Sequence, residues 1–193
     1  MRASEFVREV NYPDELTVSD RIQQYFIQRG YKLIGEGRDQ MAFLSPRQTV
    51  VKILGTGESE REDIVKRYVD FFVRNQRNPY YPKIYNSGEF TVDGETYFLY
   101  EMEYLPNYLS NDDDILDYIE KLMSAIDRDR VGEFQDKNKI PAGLNPDEIT
   151  GLIMATDELV AALGGWAPLD LSNVENLARR ADGHIVILDP FSL

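Results

Sequence analysis

The stretch YKLIGEGRDQMAFLSPRQTVVKIL, residues 31–54, constrains the fold more than any other part of the chain. Three strand-length apolar runs alternate there with two turn signals, first Gly35 and Gly37, then Ser45-Pro46. Turns this short join antiparallel neighbours, so the stretch reads as two hairpins in series, an antiparallel meander. Residues 17–29, TVSDRIQQYFIQR, precede it as a short helix with Ile22, Tyr25 and Phe26 on one face and Gly30 placed to end it.

A second helix is predicted from Ser59 to about Asn75. Ser59 and Glu62 have capping-box spacing, and Ile64, Tyr68, Phe71 and Phe72 supply the buried stripe. The run PKIYNSGEFTVDGETYFLYEMEYL then adds a further hairpin, with an Asp-Gly turn in VDGE. The order is three strands, one helix, two strands.

The second half changes character. Residues 112–127 read as a helix, with Ile115, Ile119, Leu122 and Ile126 at helical spacing after an Asp triplet that favours a helix start. Residues 127–143 are charged and read as a mobile connection. Asn145, Pro146 and Glu148 then start a helix running to Leu163 and ending at Gly164-Gly165. The tail reads as loop, short strand, Asp-Gly turn, strand. His184, in that turn, is expected at the surface with no second ligand beside it, and NPYYPKIY is expected as a packed turn.

Composition narrows the function classes. Twelve Tyr and nine Phe mark a chain that buries a core. The chain lacks cysteine, which excludes a disulfide framework or a thiolate metal site and suits a reducing cytoplasm. No apolar run approaches the ~20 residues that a membrane span requires. The formal net charge of −13 opposes binding to nucleic-acid backbone, which depends on Lys and Arg.

Two features carry chemistry. In IGEGRDQMA, Gly35 and Gly37 leave backbone without Cβ where a ligand could approach closely. In TVVKIL, Lys52 is the single cation of an otherwise apolar strand. A solvated Lys on an edge strand would give the same pattern. A cation on the third strand after a Gly-rich turn is also what a kinase uses to hold phosphates.

That order resembles the small lobe of the protein-kinase-like fold. LYEMEYLPN looks like the last strand and hinge of that fold, with Met102 in the gatekeeper position and Glu103 and Leu105 offering backbone groups to an adenine edge. HIVILDPF resembles the strand and turn that end in Asp-Phe-Gly, with Pro190 and Phe191 replacing Phe and Gly. Asn176 and Asp189 stand thirteen positions apart, which is the family spacing. Asp-Pro endings of this kind are expected in aminoglycoside-phosphotransferase-like and small phage kinase-like chains. The resemblance spans residues 31–191.

It implies an α+β fold: residues 1–106 form a lobe with a five-stranded antiparallel sheet and a helix, and residues 107–193 a minimal helical second lobe. It implies ATP and Mg²⁺, with Gly35, Gly37 and Lys52 at the phosphates, Met102, Glu103 and Leu105 at the base, and Asn176 and Asp189 at the metal. Asp170 becomes the catalytic base, and Lys52, holding the phosphates, is the second catalytic residue. Oxygen donors of this type suit Mg²⁺.

The chain departs from the family pattern at several points. Pro168-Leu169 replaces the His-Arg that precedes the catalytic Asp, and Gln40 replaces the third Gly. The Asp170–Asn176 loop is one residue longer than usual, so Asn173 competes with Asn176 as the ligand. Asp70, Asp63 and Glu60 compete as the partner of Lys52. Nothing after Leu193 forms a peptide-docking lobe, so a small substrate, or the chain itself, is the expected phosphoryl acceptor. The alternative is an inactive pseudokinase, or an acidic viral protein that binds and inhibits a host protein.

Overall fold

The computed structural model describes residues 17–37, 40–54, 59–92, 94–106, 109, 112–127, 130–163 and 173–189. The chain divides into two compact units, one of Met1–Val73 with Lys83–Tyr104 and one of Arg74–Pro82 with Leu105–Leu193.

The first unit opens with α1, Val18–Ile27. Thr17 Oγ1 accepts the Asp20 N–H and the Asp20 carboxylate accepts the Thr17 N–H, a reciprocal cap that satisfies otherwise orphan amides. The Thr17 hydroxyl also donates to the Asp20 carboxylate at 2.6 Å, and that bond, with the one from the Thr17 N–H, holds the Asp20 carboxyl below its ordinary range. Gly30 closes the helix with a left-handed φ of 81°.

Five strands follow: β1 Lys32–Glu36, β2 Gln40–Leu44, β3 Thr49–Leu54, β4 Ile84–Val92 and β5 Glu95–Glu103. All pairings are antiparallel, in the order β1-β2-β3-β5-β4. The meander of β1 to β3 and the β4–β5 hairpin are thus as the sequence predicts. Helix α2, Ser59–Arg74, connects β3 to β4, and β5 returns to pair between them. The fold class is α+β with a five-stranded antiparallel sheet and its crossing helix.

Helices cover both faces of the sheet. One face carries Met41, Phe43, Val51, Ile53, Phe90 and Leu99, packed with Ile22, Tyr25 and Phe26 of α1. The Phe26 ring stacks on Phe43 at 4.8 Å and meets Phe90 edge-on at 5.6 Å. The opposite face carries Val50, Leu54, Phe98, Tyr100 and Met102, and the Tyr68 ring of α2 meets Tyr100 edge-on. The α2 stripe differs from expectation: Val65, Tyr68, Val69 and Phe72 are buried, while Ile64 and Phe71 are half-buried. Both sets have helical spacing, and contact with the sheet selects between them.

In the second unit, α3 spans Asp113–Asp127, α4 Val131–Lys137 and α5 Pro146–Leu163. The expected mobile connection therefore contains a helix, α4, pinned by Phe134, whose ring lies 5.2 Å from that of Tyr118. Asn145 Oδ1 accepts the Asp147 N–H at the start of α5. After a short 3₁₀ turn, Val174–Asn176, β6 Leu177–Arg179 pairs antiparallel with β7 Ile185–Ile187 across the Asp182-Gly183 turn. Among the described residues, no helix is long and apolar enough to cross a membrane.

Candidate functional site

In the first unit, Lys52 lies on the central strand, opposite Ala42 of β2 and Tyr100 of β5. The sheet edges are β1 and β4, so the edge-strand explanation for this Lys does not apply. Directly paired residues share a face, which puts half-buried Lys52 on the α2-covered side with Val50 and Leu54. Asp63 and Asp70 are exposed, off the buried stripe of α2. The Glu60 side chain lies outside the described residues.

Gly35 ends the bulge in β1, opposite Ala42, and the Gly37 N–H donates to the Gln40 carbonyl at 2.8 Å to close the turn. A Cβ added at either glycine would meet its nearest neighbour at 3.7 Å, an ordinary contact, and neither has a left-handed φ. Among the described residues, no contact and no backbone angle calls for glycine at these two positions. Arg38 and Asp39 lie outside the described residues.

Met102 and Glu103 end β5, both buried. The Glu103 N–H donates to the Lys83 carbonyl at 2.9 Å, while the Glu103 carboxylate accepts the Lys83 N–H at 2.9 Å. A base edge would therefore have to meet the Glu103 carbonyl and not its N–H. Leu105 is half-buried and opens the stretch assigned to the second unit.

Within the second unit, Asn176 and Asp189 flank the terminal hairpin. Leu177 pairs with Ile187, and the Leu188 N–H donates to the Asn176 carbonyl at 2.7 Å. Asn176 thus lies across from Leu188, one residue before Asp189. Asn173 sits one turn earlier, its carbonyl accepting the Asn176 N–H at 3.0 Å. Asp170, Pro190 and Phe191 lie outside the described residues.

A polar knot ties this hairpin to α5 and to the segment 74–82. Arg180 donates to the Pro79 and Tyr81 carbonyls at 2.6 and 3.0 Å, and the Ile187 N–H to the Tyr80 carbonyl at 2.9 Å. The Tyr81 hydroxyl donates to the Ala155 carbonyl and to Glu158. Burial, with the Glu158 charge, pushes that hydroxyl well above its ordinary range. The Tyr80 hydroxyl donates to Glu148 at 3.3 Å, and burial, then the Glu148 charge, pushes it up to about 12. The Tyr-rich run is a packed turn, as expected.

Two residues depart from the sequence reading here. His184 is half-exposed, but it has a partner: its Nδ1 lies 2.8 Å from the Glu148 carboxylate. Glu148, expected as a helix-start residue, is 9 % exposed and accepts the Ile185 N–H at 2.6 Å. The sequence holds one local sign of this packing, Gly151 in the middle of α5. An added Cβ there would sit 2.0 Å from the Tyr80 hydroxyl oxygen.

Among the described residues, no three acidic or histidine side chains gather as a metal cage. Asn176 and Asp189 alone supply one amide and one carboxylate group. That donor set fits Mg²⁺, which takes one or two protein ligands and completes its shell with phosphate oxygens and water.

No protein-family model and no curated protein matches the chain. Solved structures similar to it include the amicoumacin kinase hAmiN in complex with AMP-PNP, Ca²⁺ and Ami, at 11 % identity and a TM-score of 0.43, covering 92 % of this chain. The chain spans 64 % of that protein's length. The GDP and kanamycin complex of APH(2")-IIia is similar at 10 % identity and a TM-score of 0.41, covering 89 % of this chain and 73 % of that one. The streptomycin–ATP–APH(2")-IIa ternary complex follows at 13 % and 0.36, covering 93 % and 72 %. With TM-scores below 0.5, these likenesses assign neither a family nor an activity to this chain.

Proposed function

We propose that the chain is a kinase-like phosphotransferase that binds ATP with Mg²⁺. The observation that carries this reading is the Leu188–Asn176 backbone bond, 2.7 Å long, which sets Asn176 opposite the residue before Asp189. Within the first unit, Lys52 on the central strand and the glycine pair Gly35 and Gly37 add separate support.

In this reading Gly35 and Gly37 let backbone N–H groups approach the phosphates, and Lys52 neutralises phosphate charge. Met102 would line the adenine, and the Glu103 carbonyl and the Leu105 backbone would offer hydrogen-bonding groups to its edge. Asn176 and Asp189 hold Mg²⁺, which offsets charge on the phosphate oxygens when bound. Asp170 accepts the proton of an attacking hydroxyl. The new bond forms from that oxygen to the γ-phosphorus, and the bond from phosphorus to the β,γ-bridging oxygen breaks, releasing ADP. The acceptor is a small molecule or the chain itself.

Labelled ATP incubated with the protein alone, and then with cell extract, tests the transfer. The expected result is label on the chain or on an extract component, lost in Asp170→Asn while ATP binding persists. Nucleotide binding without any transfer would make the chain an inactive nucleotide-sensing module. Absence of both would favour the alternative of an acidic protein that acts by binding a protein partner.

A further inference from the structure

Glu148 is a carboxylate in an uncommon setting. An acid in the first turn of a helix ordinarily faces water and the helix's own amides. Glu148 turns instead to the terminal hairpin: one oxygen accepts the Ile185 N–H, and the other meets His184 Nδ1 and the Tyr80 hydroxyl. Burying a carboxylate is costly unless donors surround it, and here three do. The constraint continues along β7, because the Ile187 N–H is held by the Tyr80 carbonyl and the Leu188 N–H by the Asn176 carbonyl.

The hairpin needs such a clamp. Each of its strands has only three residues, and a two-stranded hairpin has little stability by itself. A slip of one residue would turn every side chain of the strand to the other face and so change where Asp189 stands relative to Asn176.

We infer that Glu148 is a positioning residue, which clamps β7 onto α5 and so fixes the spacing between Asn176 and Asp189. The inference rests on reading those two residues as metal ligands. Glu148 touches neither nucleotide nor metal and acts through the hairpin. His184 and Tyr80 are its outer donors, and their rings pack edge-to-face with centroids 5.5 Å apart.

Native-state hydrogen exchange on the full chain tests the clamp. Glu148→Ala should speed exchange at Ile185, Ile187 and Leu188 on the order of tenfold to a hundredfold, with Ile119 and Leu122 of α3 unchanged. Glu148→Gln should restore protection, because an amide can accept from Ile185 and donate toward His184. A loss confined to Ile185 would overturn the inference, and so would equal loss in α3 or no loss at all. If Glu148→Ala does not fold, Tyr80→Phe removes one donor and should give a smaller loss at the same three amides; protection at wild-type level would then overturn the inference.

A second readout is the Mg²⁺ concentration needed for half of the ATP-induced melting shift. Glu148→Ala should raise it roughly tenfold, with the shift given by metal-free ATP unchanged and Glu148→Gln close to wild type. An unchanged Mg²⁺ requirement would overturn the inference. A wild-type chain that shows no ATP shift would instead remove the nucleotide reading, while the exchange result still decides the clamp.

Discussion

Replacing Gly151 by Ala should destabilise the protein, against the usual sign for a helix interior. Exchanging Gly for Ala within a helix normally gains about 1 kcal/mol. At Gly151 the new Cβ would lie 2.0 Å from the Tyr80 hydroxyl oxygen, 2.4 Å from Cζ and 2.7 Å from Cε2. The ring cannot simply move aside, because the Tyr80 N–H is held by Asn78 and its carbonyl by Ile187. It must leave its slot over α5, giving up the bond to Glu148 and the contact with His184. Overpacking of this kind costs about 1–3 kcal/mol, and a hydrogen bond to a charged group adds about 1.5–3. After the gain in helix propensity, the net loss should be about 1.5–5 kcal/mol. Gly132 in α4, where an added Cβ meets nothing within 4 Å, is the matched control and should gain slightly as Ala. Denaturant unfolding of Gly151→Ala, Gly132→Ala, Tyr80→Ala and the Gly151→Ala/Tyr80→Ala pair measures the effect. The pair should lose less than the two single losses summed, since the clash vanishes with the ring. Strict additivity, or a Gly151→Ala protein as stable as wild type, would refute the reasoning.

Tyr80 should stay un-ionised well above pH 10, its ordinary value, because its hydroxyl is pushed up to about 12. The folded state thus holds the proton more tightly, so the associated stability is complete below pH 10 and lost as pH rises through about 12. Absorbance titration at alkaline pH should show at least one tyrosinate signal fewer below that point than in unfolded chain, and Tyr80→Phe should reduce the deficit. Arg180→Ala removes two charge-assisted bonds to the Pro79 and Tyr81 carbonyls and should cost about 1.5–3 kcal/mol by chemical denaturation. Arg180→Lys, lacking the fork, should recover only part of it.

Much of the first unit is legible because its signals are local. Alternating strands, the Gly35–Gly37 and Ser45-Pro46 turns and the Asp-Gly turn before Glu95 need only neighbouring residues to be read. The register of α2 is not local, since Ile64/Phe71 and Val65/Val69 both satisfy helical spacing and the sheet chooses. Helix α4 escapes because a seven-residue segment with one buried side chain, Phe134, shows no periodicity. The Glu148 clamp escapes for another reason. Its partners are a backbone N–H 37 positions away and a tyrosine 68 positions away, and hydrogen bonds across such separations leave no spacing to read. The terminal hairpin is legible because its Asp182-Gly183 turn is a local signal.

The most direct test of the kinase-like reading is nucleotide binding, followed by the melting temperature with and without Mg²⁺. A ligand that binds only the folded state stabilises it by mass action, about 2.7 kcal/mol at a hundredfold excess over Kd. Mg-ATP should therefore raise the melting temperature by several degrees, and Lys52→Ala and Asp189→Ala should each abolish the rise. The account is contradicted if ATP, ADP and GTP give no shift with either Mg²⁺ or Mn²⁺, or if both variants keep the wild-type shift.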